Sequence, residues 1–187
     1  MKKLIALLLI PVLSGCLSVS SPRVTQWLLE YKGPVRATRL TKYEVGRVSQ
    51  VLVRSPFNEV GIAVLRADGS MAFDSYNEYA ANPTAMLKGF VFDAMDASGL
   101  FGTVVNPSSS VKSQAMTEVM VTRLALDCRK EGERKAVAAV RVRLISDDGK
   151  ALYAQGEGTA AAKDGNYGAA LSDALSTALN TAFGQFR

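Results

Sequence analysis

Few side chains in this sequence suit chemistry, and their types limit what it could be. Histidine is absent, which removes the commonest general base and metal ligand. The catalytic candidates are three carboxylates, Glu78, Asp93 and Asp96. Asp93 and Asp96 are three residues apart, so on a helix they share one surface. A carboxylate-dependent hydrolase would need such groups to converge in a cleft with their pKa values pushed apart. A solvated helix face has the same spacing and is the preferred reading. The serines lack both a GxSxG elbow and a histidine. "QGEGTA" (155–160) lies inside a strand pattern, not between a strand and a helix, so it does not read as a phosphate loop. "KDGNYG" (163–168) lacks the alternating acidic positions of a calcium loop and reads as a turn into a helix cap. No catalytic residue, metal site or cofactor is expected.

The two cysteines have separate roles. Lys2 and Lys3 precede an apolar run, Leu4 to Val12, too short to span a bilayer. Leu13, Ser14 and Gly15 then lead into Cys16, in the pattern of a bacterial lipobox. Cys16 is therefore expected to carry lipid after cleavage before it. An ordinary signal peptide with an incidental cysteine is the alternative. Leu17, where Asp would favour inner-membrane retention, sorts the protein to the outer membrane. More than one acyl chain anchors stably, at roughly 0.8 kcal/mol per buried CH₂. The expected organisation is a signal peptide (1–15), a lipidated tether (16–23) and one domain (24–187) facing the periplasm. Loss of Lys2 and Lys3 lowers the formal charge from +5 to +3. That is too weakly basic to indicate a nucleic-acid partner. Cys128 is left without a disulfide partner and reads as a small residue at a strand end, with a redox role the alternative.

With 187 residues, 48% of them hydrophobic, the chain supports one domain with a real core. Strands are expected over 24–31, 47–54, 60–66, 71–76 and 100–105. A meander over 117–128, 136–146 and 151–162 is broken by "RKEGER" and "DDGK". The stretch 33–46 reads as an irregular basic loop. Its Arg36, Arg39 and Lys42 are candidate partner contacts, with a solvated loop the plainer reading. A helix over 82–99 has Asn82 as cap, Pro83 in the first position and Gly99 as stop. A second, over 167–183, repeats Leu171, Leu175, Leu179 and Phe183 beside a row of alanines. Its other face, with Ser172, Asp173, Ser176, Thr177, Asn180 and Thr181, is polar with one charge and is another candidate contact, core or ordinary surface being the plainer reading. Ala154, Gly156, Gly158 and Ala160 share a strand face with little bulk, which would let this helix approach closely. Arg123, Arg141 and Arg143 could form a basic patch for a partner, Arg141 and Arg143 on one strand face, with a solvated outer face the plainer reading. The fold class is α/β: one domain, a mixed sheet and two main helices. Whether the helices share a sheet face stays open.

The whole pattern resembles the ABC-type transport auxiliary lipoproteins, the group with the PqiC-like envelope lipoproteins. The resemblance rests on the lipobox, on Trp27-Leu28-Leu29, on "VGIAVLRADGSMAFDSYNEY" and on "NPTAMLKGFVFDAMDASGLFGTVV". Two positions depart from the family pattern. Its tyrosine-rich first strand is reduced to Trp27, and its Trp before the first helix is replaced by Tyr79. The resemblance implies a non-enzymatic accessory of an ABC- or MCE-type system that moves lipids or other hydrophobic molecules. Its partners would be an MCE-type periplasmic protein or transporter subunits, with the membrane held through Cys16 and a homo-oligomer compatible. The alternatives are an assembly lipoprotein of a secretion or surface-organelle machine and, less favoured, the envelope hydrolase.

Overall fold

The computed structural model describes residues 23–33 and 41–187. Cys16, its lipobox residues Leu13, Ser14 and Gly15, the sorting residue Leu17, and Arg36 and Arg39 lie outside the described residues.

Alternating burial builds the sheet. Its strands are β1 (Thr25–Trp27), β2 (Tyr43–Val53), β3 (Gly61–Leu65), β4 (Met71–Tyr79), β5 (Phe101–Val105), β6 (Ala115–Asp127), β7 (Lys135–Ser146) and β8 (Ala151–Ala161). The helices are α1 (Pro83–Ala97) and α2 (Tyr167–Gly184). Strand β6 is the axis. Along its whole length β7 pairs antiparallel on one side, and β8 pairs with β7. Two strands share its other side. β2 runs parallel from Gly46↔Ala115 to Val53↔Val121, and β3 then takes Val64↔Leu126 and Leu65↔Asp127. The sheet therefore forks, with β5 beyond β2 on one branch and β4 then β1 beyond β3 on the other. A bulge in β6 between Val121 and Arg123 falls where one neighbour gives way to the next, and it bends the strand there.

Asn82 Oδ1 accepts from the Thr84 amide at 3.0 Å, Pro83 opens α1, and Gly99 follows it with φ +71°. Leu87, Phe90, Val91, Ala94 and Met95 form its buried stripe. Asn166 caps α2, accepting from the Ala169 amide at 3.0 Å, so the "KDGNYG" turn does feed a helix cap.

Both helices lie on one face of the sheet. A Cβ at Gly46 in β2 would come within 2.7 Å of Met95 Cε in α1. On β8, a Cβ at Gly156 would sit 1.9 Å from the Ala178 carbonyl oxygen of α2, and one at Gly158 2.0 Å from that of Ala174. Register ties these glycines to one face, since Gly46 pairs with the buried Ala115, and Gly156 pairs through Val140 with Val121. The small-residue face of β8 is thus the seat of α2, and helix backbone occupies the space that side chains would take.

Two expected elements differ. The first strand stops at Trp27 instead of continuing to Tyr31, and the sheet enters the supposed loop 33–46 at Tyr43. Residues 28–33 have left the sheet for another partner.

Candidate functional site

That partner is α2. Beyond β1 the chain runs against both helices as a strap. The Glu30 amide donates to Ser172 Oγ at 3.2 Å and the Lys32 amide to Ser176 Oγ at 2.9 Å. Between them the Tyr31 hydroxyl donates to Asn180 Oδ1 at 2.6 Å, and its ring meets Phe90 of α1 edge-on at 5.7 Å. Leu29 is buried, as are Ser172 and Ser176. The spacing explains the fit. Four helical residues rise about 6 Å, and two residues of extended chain advance about 6.7 Å. A polar residue every fourth position along α2 therefore meets every second amide of the strap. These hydroxyls satisfy amides that no strand pairs, which is why the segment can leave the sheet without orphaned donors. Burial raises the Tyr31 pKa, an effect the Asn180 bond opposes.

The polar face of α2, read from sequence as a candidate contact for another protein, is thus partly occupied by the chain itself. Serine and asparagine on a helix look alike whether they face water or a strap. The period-four recurrence of Ser172, Ser176 and Asn180 was the available signal.

Lys42 stands just before β2, its Nζ donating to the Phe186 carbonyl at 3.3 Å and lying 6.0 Å from the Tyr43 ring centre. It is exposed, but its charge serves the C-terminus of the domain. The candidate carboxylates are held apart in role. Glu78 in β4 accepts from Gln26 of β1 at 2.8 Å. Asp93 is exposed and borders the groove between the strap and α1, while Asp96 is half-buried further along the helix. Cys128 is a free, half-buried thiol just past β6, and burial pushes its pKa up.

The second surface is the sheet face away from the helices. Register lays its side chains out in rows: Gln50, Glu118, Arg143 and Tyr153, then Leu52, Met120, Arg141 and Gln155. In the first row Glu118 pairs with Arg143 at 3.2 Å, and the guanidinium lies 5.8 Å from the Tyr153 ring centre. A shallow groove of about 560 Å³ runs across these rows. It adjoins a cleft of about 240 Å³ between Arg54, Arg123 and Arg141, and the two share Arg141 and Gln155. The expected patch of Arg123, Arg141 and Arg143 does share one face, and Arg54 joins it.

A two-layer α/β domain with a forked mixed sheet, both helices on one face, and a strap over the helices defines this chain. No protein-family model and no curated protein sequence matches it. Solved structures do share its fold. A Xanthomonas campestris protein of the DUF330 family is 16% identical with TM-score 0.68, over 87% of this chain and 98% of that one. A structure described only as an uncharacterized protein gives 15% identity and TM-score 0.59, over 89% of this chain and 94% of that one. PelC from Paraburkholderia phytofirmans, a dodecamer, is more distant at 12% identity and TM-score 0.45, over 80% of this chain and 92% of that one. The first two likenesses establish the fold.

Proposed function

We propose that this protein is a lipid-anchored, non-enzymatic accessory of an ABC- or MCE-type envelope transport system. It holds the periplasmic part of a transporter of lipids or other hydrophobic molecules to the outer membrane. The fold shared with the DUF330 protein supports this reading, because it is the fold that the PqiC-like resemblance implies. The observation that carries it is the strap. The segment that follows the predicted lipid tether pairs with β4 through β1 and is then hydrogen-bonded to α2 and packed on α1. Load on a lipid at Cys16 would then pass into the folded core, as a docking protein requires. On the opposite sheet face no described helix covers Leu52, Met120, Arg141 and Tyr153, which leaves them available to a partner.

The test is complementation. Cells lacking the protein are expected to admit hydrophobic dyes and to lose detergent resistance. The wild-type chain should restore the barrier. Cys16→Ser should not, and it should leave the outer-membrane fraction and fail to incorporate a palmitate analogue. Full complementation by a Cys16→Ser protein that remains soluble would overturn the anchoring role.

A further inference from the structure

The sheet face opposite the helices carries more than solvated charge. Leu52, Met116, Met120 and Tyr153 are 40%, 40%, 39% and 73% exposed; they belong to β2, β6 and β8, in the run β2-β6-β7-β8 of the sheet. Tyrosine, methionine and arginine are the types enriched at the centres of protein interfaces. Methionine adapts its shape to a partner.

The charges on this face divide into two kinds. Arg143 is neutralised by Glu118. Arg54, Arg123 and Arg141 line the adjoining cleft, with Glu157 as the single carboxylate residue among its described lining residues. No hydrogen bond or ion pair joins any of these three guanidiniums to another described residue. Ala139, on β7 opposite Arg123, leaves space at the floor. Three uncommitted arginines around a polar cleft repel one another and attract an anion. The cleft opens into the apolar groove at Arg141 and Gln155.

We infer that this face is the docking surface for an acidic segment of another protein. A partner carboxylate enters the cleft of Arg54, Arg123 and Arg141, and apolar side chains beside it cover Leu52 and Met120 against Tyr153. The shape selects a protein over a small amphiphile, because the groove is shallow and open and would leave an acyl chain partly in water. Covering both chambers at once needs a surface, and desolvating the arginines against carboxylates supplies specificity. This inference rests on the docking role proposed above and names the surface that performs it.

The experiment places a photoreactive benzoylphenylalanine at position 153 of the full lipidated chain in its own cells, with a second probe on the strap at Glu30. The expected result is a protein adduct from position 153 whose crosslinked peptide carries Asp or Glu beside apolar residues. Arg123→Glu with Arg141→Glu should cut the adduct at least tenfold, and Arg123→Gln with Arg141→Gln should weaken it with the fold and lipidation intact. Reversing the acidic residues of the captured peptide to Arg should restore the adduct with the Glu variants. An adduct of two copies of this chain, an adduct with lipid, an adduct indifferent to the Arg substitutions, or no adduct at 153 would each overturn the inference. A transporter component captured only at Glu30 would keep the proposed function and sink this surface. An acidic partner unrelated to transport, captured at 153 and restored by charge reversal, would do the opposite.

Discussion

Tyr79 ends β4 wholly buried, and its hydroxyl has no hydrogen-bond partner among the described residues. An unpaired buried hydroxyl costs roughly 1–3 kcal/mol. Tyr79→Phe keeps the ring and removes that cost, so it should leave stability unchanged or raise it by about 1 kcal/mol in urea melts. Burial also pushes the Tyr79 hydroxyl far above the ordinary tyrosine range. The folded state then keeps a proton that the unfolded chain loses above about pH 10. Stability must therefore fall as pH rises past that point, and the Phe variant should fall less steeply. At the acid end, Arg129 holds Asp127 down at about 2. Its contribution is present at neutral pH and is lost as pH drops below about 4 and through 2. The Arg129 side chain is 59% exposed, so the pair is screened from that side, and Asp127→Asn should change neutral stability by less than about 1 kcal/mol.

Elements carry the larger penalties. Gly156 and Gly158 admit α2 against β8, with helix carbonyls where a Cβ would stand. Backbone cannot rotate away, so Gly158→Ala should cost about 1–3 kcal/mol, seen as a lowered Tm, and Gly158→Val more. This seam was legible in the sequence, because alternation through Ala154, Gly156, Gly158 and Ala160 and the alanine row of α2 both name small residues. The caps of both helices were legible for the same local reason. The strap was not. "VTQWLLEY" has strand composition throughout, and only tertiary geometry shows that Ser172 and Ser176 compete for the amides of Glu30 and Lys32. Ser172→Ala with Ser176→Ala removes two bonds to part-buried amides and should cost about 1–3 kcal/mol. Hydrogen exchange at Glu30 and Lys32 should then rise well before the core opens. Unchanged protection there would contradict the strap's dependence on α2.

At the scale of the molecule, strand order was the part that local pattern left open. The meander of β6, β7 and β8 follows from its turns, but the parallel pairings of β2 and β3 along one flank of β6 join segments far apart in sequence. No periodicity encodes such a choice. It decides the function-bearing geometry, since it puts both helices and the strap on one side, and no described helix or strap covers the other sheet face. Of the candidate site, the three arginines of β6 and β7 could be named in advance. Arg54 and the apolar side chains of Leu52 and Met120 needed the register. The whole-molecule account is an anchor tied into one face and a partner received on the other. Its most direct test is crosslinking of the lipidated protein in its own cells, followed by mass spectrometry of what it holds. The account predicts an MCE-type protein or an ABC-transporter subunit among the crosslinked partners. Recovery of only secretion or wall-assembly proteins would contradict it.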